Sequence, residues 1–135
     1  MTGPTASTGP ADPLDRVQWD LVLREIGAEA LRRYAGSYLD LLAGRLDGIE
    51  RTVSAGENDE AAGIMSDLSA SSAMLGARRL AALAGTAEAQ LRRAAAGRPA
   101  VDTRALHDEA DDVERALRRA LGELGGPPPV QPPNR

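Results

Sequence analysis

Residues 65–83 read MSDLSASSAMLGARRLAAL, and this stretch holds the end of one predicted helix and the start of another. Before Gly76, apolar residues recur at the three- and four-residue spacing of a helix with one buried face. Gly76 separates this helix from the next one. After Gly76 the helical spacing resumes. The stretch therefore predicts two helices joined by a tight turn.

The rest of the chain has the same periodicity, interrupted where Gly, Pro and Asn cluster. Helices are predicted over about 13–26, 28–54, 59–74, 77–96 and from Asp102 to 124, with Gly27 ending the first. Asn58 is a candidate N-cap of the third helix, and Asp102 of the last. Four long amphipathic helices with short connections predict an all-α fold, an antiparallel up-and-down four-helix bundle with a short additional N-terminal helix across one end.

The core is expected to be aliphatic, because the sequence has no Phe, one Trp and two Tyr. Trp19 is predicted either to join the core or to anchor an interface. The other predicted inward residues are Leu14, Val17 and Leu21; Leu31, Tyr34, Ala35, Tyr38, Leu42, Leu46, Ile49 and Val53; Ala61, Ile64 or Met65, Leu68, Ser72 and Leu75; Leu80, Leu83, Ala87 and Leu91; and Leu106, Ala110, Val113, Leu117, Leu121 and Leu124.

The two ends differ in composition from this helical part. Residues 1–12 and 125–135 are rich in Pro, Gly, Ser or Thr, and we predict disordered tails because neither segment has an apolar face to bury. The proline run near the C-terminal end is either a polyproline II ligand or a solvated end, and solvated ends are more common. Residues 13–124 are the right length for one domain.

Charge and composition exclude several classes of function. The chain carries 16 Arg, no Lys and 20 acidic residues, and the Arg residues are scattered among acids, so nucleic acid is not an expected partner. Arg without Lys, with abundant Ala and Gly, indicates a GC-rich bacterial source. There is no Cys for a disulfide or a thiolate site. Without a signal-like or membrane-spanning segment, we expect a cytoplasmic protein that does not enter membranes.

Residues 65–83 resemble the signature of histidine-containing phosphotransfer (HPt) domains. In that signature an Ala-His pair and a small polar residue precede Leu-Lys-Gly-Ser-Ser-Ala, an apolar or amide residue, and Leu-Gly-Ala. The matching residues are Leu68, Ser71, Ser72, Ala73, Leu75, Gly76 and Ala77. The resemblance extends over residues 13–124, because the number, lengths and turns of the predicted helices also agree with that family's four-helix bundle.

The three reactive residues of the signature are replaced. Ser66 stands in the place of the phosphorylated histidine, Ser69 in the place of the lysine, and Ala70 in the place of the glycine. An imidazole forms a phosphoramidate that passes its phosphoryl group on, whereas a serine hydroxyl needs an adjacent base. A serine also cannot neutralise phosphoryl charge as lysine does. The resemblance therefore implies a degenerate, non-enzymatic member without cofactor or metal, in which Ser66 marks the former phosphorylation site.

A strip of small residues remains on the third predicted helix. Its members, at three- and four-residue spacing, are Ala62, Ser66, Ser69, Ala70 and Ala73. We interpret the strip as a protein-binding surface, although drift on an unused exposed face would leave a similar pattern. By resemblance, the partner is a response-regulator receiver domain or a histidine kinase in bacterial two-component signalling. The oligomeric state is left open.

Two alternatives to this interpretation exist. The first is an active phosphotransfer protein that uses Ser66 or the only histidine, His107. His107 lies among Asp108, Glu109 and Asp111, which would repel a phosphoryl group, and the cluster lacks the spacing of a metal site on several helices. The second alternative is a helical bundle recruited to bind an unrelated regulator or another copy of itself.

Overall fold

The computed structural model describes residues 12–94 and 101–124. Within them the chain forms four helices and no strand: α1 (Arg16–Ser54), α2 (Asn58–Leu75), α3 (Arg78–Arg93) and α4 (Thr103–Leu124). The predicted all-α class is confirmed. The C-terminal tail, all of the N-terminal tail before Asp12, and the predicted helix end at residues 95 and 96 lie outside the described residues.

The four helices pack in a closed ring of neighbours. α1 lies next to α2 and α4, and α3 lies next to the same two helices, whereas in the described residues the Cα atoms of α1 and α3, and of α2 and α4, do not come within 8 Å of each other. This arrangement is consistent with a four-helix bundle around one core. The contact between α2 and α3 is the most extensive, which follows from the single short turn that joins them.

α1 is interrupted at Gly27, where the backbone leaves the helical region with φ 88° and ψ 160°. Only glycine adopts this conformation without strain, because a Cβ atom would clash with the neighbouring peptide groups. The interruption falls at the glycine where the sequence analysis ends its first helix. It allows residues 16–26 to take a direction different from that of residues 28–54.

The first turns of α1 bury a different face from the predicted one. Trp19 and Val22 are buried, whereas Val17 and Leu21 are 78% and 43% exposed, so the prediction that those two residues face inward is wrong. In the sequence, helical spacing relates Trp19 to Val22 and equally relates Val17 to Leu21, so each pair marks a possible apolar stripe. The stripe with the indole ring removes more apolar surface from water, and tertiary packing therefore turns that stripe towards the core.

The predicted core faces of the other helices are confirmed in most positions. The buried residues that the sequence predicts are Leu31, Ala35, Tyr38, Leu42, Leu46, Ile49, Ala61, Met65, Leu68, Ser72, Leu75, Leu80, Ala87, Leu91, Leu106, Ala110, Val113 and Leu117. Tyr34, Val53, Ile64, Leu83, Leu121 and Leu124 are half-buried against this core. The core also includes Ala84, Ala116 and Ala120, whose small side chains allow helices to approach closely.

The helix starts show one confirmed cap and one wrong prediction. Asp102 accepts a hydrogen bond from the Ala105 backbone N–H at 2.9 Å, as predicted for the cap of α4. Asn58 is not an N-cap: it is the first residue of α2, and its amide donates to the Ala94 carbonyl at 3.2 Å. The reason is tertiary, because the end of α3 offers an acceptor that the local sequence does not reveal.

Candidate functional site

Gly76 positions the elements that surround the candidate site. It takes the left-handed conformation with φ 96° at the end of α2, and its carbonyl accepts a hydrogen bond from the Asp15 backbone N–H at 2.7 Å. A Cβ atom at this position would lie 2.8 Å from the Asp15 carbonyl oxygen. The turn between α2 and α3 therefore holds the start of α1 in backbone contact, and only glycine fits there.

A buried hydrogen bond sets the position of α2 against α1. The Tyr38 and Ser72 hydroxyl oxygens are 2.7 Å apart, and both residues are buried. Burial raises the pKa of Tyr38, and the hydrogen bond to Ser72 opposes this rise to a smaller extent. Both hydroxyls are thus neutral and each provides a partner for the other, as buried polar groups require.

The residues of the predicted strip differ in their environments: one is buried, one is hydrogen-bonded to α3, and the others are half-buried or exposed. Ala62 is fully buried, so the prediction that it faces outward with the others is wrong. Ser69 is half-buried and donates to the Ala81 carbonyl of α3 at 2.9 Å. Ser66 is half-buried, and Ala70 and Ala73 are exposed. The physical reason is that α3 covers the side of α2 from which Ala62 projects.

Ser69 makes a structural contact between two helices. Through its hydroxyl, Ser69 links α2 to α3, and a Cβ atom at Gly85 would lie 3.5 Å from that oxygen, an ordinary contact. The two helices are therefore close at this level. The Ser69 hydroxyl is directed at a backbone carbonyl and supplies no positive charge to the surface.

Among the described residues, no side chain forms a hydrogen bond with the Ser66 hydroxyl. A serine nucleophile needs a base within hydrogen-bond distance. The histidine lies on α4, whose Cα atoms stay more than 8 Å from those of the described part of α2.

His107 makes a hydrogen bond within α4 and lies near a carboxylate of α1. Its Nδ1 atom lies 2.8 Å from the Thr103 carbonyl, which can only accept, so this nitrogen donates. The same atom is 3.8 Å from a carboxylate oxygen of Glu50 on α1. His107 is half-buried. The described residues contain no group of three or more potential metal-ligating side chains.

A groove of about 460 Å³ adjoins the exposed part of the strip. It is lined by Asp15, Val17, Gln18, Ala73, Arg78 and Ala81. Arg78 and Asp15 form an ion pair of 2.9 Å at this groove. We use the name docking face for Ser66, Ala70 and Ala73 together with the groove residues Val17 and Ala81.

The groove cannot be identified from the sequence because its walls come from three separate elements. The sequence predicts Val17 to lie in the core, and Ala81 carries no signal beyond its small size. The sequence does not show that the start of α1 lies close to the end of α2. The 2.7 Å hydrogen bond from the Asp15 backbone N–H to the Gly76 carbonyl holds these two segments together, and no sequence pattern predicts this hydrogen bond.

Searches against protein families, curated proteins and solved structures find no match for this chain. Among the described helices, none combines the length and the apolar character that a membrane span requires.

Proposed function

We propose that this chain is a non-catalytic, HPt-like protein-interaction module in bacterial signalling. It binds a response-regulator receiver domain or a histidine kinase and does not transfer phosphate. In this proposal residues 13–124 are one cytoplasmic domain, folded as an antiparallel up-and-down bundle, with residues before Gly27 as the short additional helix.

The observation that carries the proposal is the docking face. The residues at the former histidine and glycine positions, Ser66 and Ala70, lie on the surface side of α2 beside Ala73, and none of the three is charged. The adjoining groove has room for a side chain of a second protein. A face without long side chains lets a partner helix approach closely, at little cost in side-chain entropy.

The residues that match the signature also support the proposal. Ser72 bonds to Tyr38, and Gly76 makes the turn that contacts the start of α1. These two residues act in folding and orientation. The replaced residues offer no chemistry for transfer, because the Ser66 hydroxyl has no base in the described part of the chain and Ser69 is bonded to Ala81. The pattern fits a domain that has kept its shape and lost its reaction.

Direct binding measurements test the proposal. Purified receiver domains and histidine kinases of the source organism are titrated with the full chain by calorimetry. At least one is expected to bind saturably, and Ala70→Arg is expected to weaken binding by about tenfold or more, because a long charged side chain blocks close approach. Ala43→Arg, at an exposed alanine of α1, is the matched control and is expected to leave affinity unchanged. Equal affinities of wild type and Ala70→Arg would contradict the proposal that the docking face binds the partner.

The phosphotransfer alternative is tested separately. The chain is incubated with a phosphorylated receiver domain, and intact mass is measured over time for the wild type, Ser66→Ala and His107→Gln. We expect no gain of a phosphoryl group in any of the three proteins. A gain in the wild type that is lost in one variant would assign transfer to that residue and contradict the proposal.

A further inference from the structure

Residues 14–26, the start of α1 with the two residues before it, form a segment that we call the strap. At the next residue, Gly27, the backbone has φ 88° and ψ 160°, so the strap and residues 28–54 are joined at one non-helical residue. Apart from its own stretch of backbone, a Cβ atom at Gly27 would meet nothing within 4 Å. The joint thus combines the conformational freedom of glycine with open space, which are the properties of a hinge.

The polar contacts of the strap lie at one end of the bundle. Asp15 binds the α2–α3 turn through its backbone and forms an ion pair with Arg78. Arg16 donates to Glu123 of α4 at 2.8 Å, and Gln18 donates from its amide to a carbonyl at the end of α2 at 3.1 Å. Both ion pairs are exposed, and exposed ion pairs contribute little stability. The attachment of the strap therefore depends chiefly on its apolar residues.

The buried apolar part of the strap is small. Leu14, Trp19 and Val22 are three of the 25 apolar residues that are buried in the described part of the chain. The others begin at Leu31, so residues 28–54 and the helices α2, α3 and α4 keep their contacts with one another when the strap leaves. A segment that carries few core residues opens at a lower free energy than the whole domain.

We propose that the strap opens as one unit about Gly27 while the rest of the bundle stays folded. The groove beside α2 is lost in the open state, because Asp15, Val17 and Gln18 line it. Strap opening therefore controls whether the groove part of the docking face exists. The opening itself does not depend on the proposed function, and only this consequence for the docking face rests on it. Measurements on the free chain, without a partner, keep the two apart.

Thiol labelling measures the opening, since the chain has no native Cys. Val22→Cys places a thiol in the strap, and Val113→Cys, the same change at a buried valine of α4, is the matched control. Both variants react with the aromatic disulfide DTNB at urea concentrations below the unfolding transition. Val22→Cys is expected to react about tenfold faster or more, with a weaker but measurable urea dependence, because strap opening exposes less surface than global unfolding. An equal urea dependence of the two variants overturns the proposal, and so does a Val22→Cys rate that does not change with urea.

Ile49→Val separates strap opening from global unfolding. Ile49 is fully buried near the far end of α1, and its truncation weakens the core that the closed and open states share. In this background the Val113→Cys rate is expected to rise by about two- to tenfold, whereas the Val22→Cys rate stays unchanged. A parallel rise of both rates overturns the proposal, because it shows that the strap opens only with the whole chain.

Gly27→Ala tests the hinge. A residue with a Cβ atom is strained at φ 88°, so the closed state loses stability relative to the open state. The Val22→Cys rate is expected to rise by about tenfold. Gly44→Ala is the matched control, at a glycine of α1 with helical backbone and open space around it, and is expected not to raise this rate. An unchanged rate in Gly27→Ala overturns the hinge and with it the proposal.

Discussion

At the scale of single residues, glycines of the same helix have opposite roles. Gly76 occupies a left-handed position where a Cβ atom would meet the Asp15 carbonyl oxygen at 2.8 Å, whereas Gly63 lies inside α2 with open space around it. The first glycine is required by the backbone and by its neighbour. The second merely lowers the stability of the helix, because glycine loses more conformational freedom than alanine on folding.

The two glycines therefore predict opposite effects of the same substitution. Gly76→Ala is expected to lower the free energy of unfolding by roughly 1–3 kcal/mol, from backbone strain together with the clash. Gly63→Ala is expected to raise it by about 0.5–1 kcal/mol. Urea denaturation of both variants measures the two changes. A loss of stability in both would show that the region around Gly63 does need the absence of a side chain.

The buried Tyr38 predicts a dependence of stability on alkaline pH. Burial raises its pKa in the folded state above the value of 10.0 that an exposed tyrosine has. The folded state therefore holds the phenolic proton more tightly than the unfolded state, and this contribution is complete below pH 10.0. As the pH rises towards the folded-state pKa, the contribution is lost and the free energy of unfolding falls.

Tyr38→Phe removes this group and tests the assignment. The wild type is expected to lose stability above pH 10.0 more steeply than Tyr38→Phe, because only the wild type carries the buried phenol of residue 38. Tyr38→Phe also leaves the buried Ser72 hydroxyl without its partner, which costs about 1–3 kcal/mol at neutral pH. Denaturation series at several pH values measure both effects. Parallel pH curves for the two proteins would assign the alkaline loss to other groups.

At the scale of elements, the start of α1 shows how packing selects one of two apolar stripes. Trp19 and Val22 face the core, and Val17 and Leu21 face outward. The Asp15 side chain caps the helix by accepting from the Val17 backbone N–H at 2.9 Å, and its backbone binds the α2–α3 turn. Together these contacts set the rotation of the helix about its axis, and that rotation exposes Val17 beside the groove.

This rotation predicts unequal effects of truncating two neighbouring side chains. Trp19→Ala is expected to cost about 3–5 kcal/mol, because it leaves a large cavity in the core. Val17→Ala is expected to change the free energy of unfolding by less than about 0.5 kcal/mol, as for other exposed positions. Thermal and urea unfolding compare the two variants. A large loss for Val17→Ala would mean that this face is covered within one chain.

At the scale of the whole molecule, the proposed likeness to phosphotransfer domains has a direct test by restoration. The triple variant Ser66→His, Ser69→Lys and Ala70→Gly reinstates the reactive residues of the signature. If the bundle orients α2 as in those domains, this variant is expected to take a phosphoryl group from a phosphorylated receiver, and the wild type is not. Intact mass measurement detects the difference.

The matched control for restoration keeps the charge but omits the nucleophile. Ser69→Lys with Ala70→Gly has the same cation and the same space, and is expected to remain unmodified. The Ser69→Lys change also removes the hydrogen bond to Ala81, so both variants are compared for stability. A stably folded triple variant that never takes up phosphate would count against the proposed likeness.

Helix positions and most of the core follow from the sequence because they depend on local chemistry. Periodic apolar residues define each inward face from residue 28 onward, Gly76 ends α2, and Asp102 caps α4. The same reasoning predicted that Ser72 faces inward, but did not identify Tyr38 as its partner. The spacing of residues along one helix specifies the side on which a side chain projects, but the residue that this side chain contacts belongs to another helix.

Local spacing and turn residues are enough to predict the helices of the described residues, the turn at Gly76, and which residues of α2 are small and uncharged. Packing between helices decides that Ala62 is covered, that Ser69 bonds to Ala81, and that Val17 is exposed beside Ala73. The physical reason is that helical periodicity is a property of neighbouring residues. Burial and surface, in contrast, arise where separate helices meet, and that depends on how the elements pack.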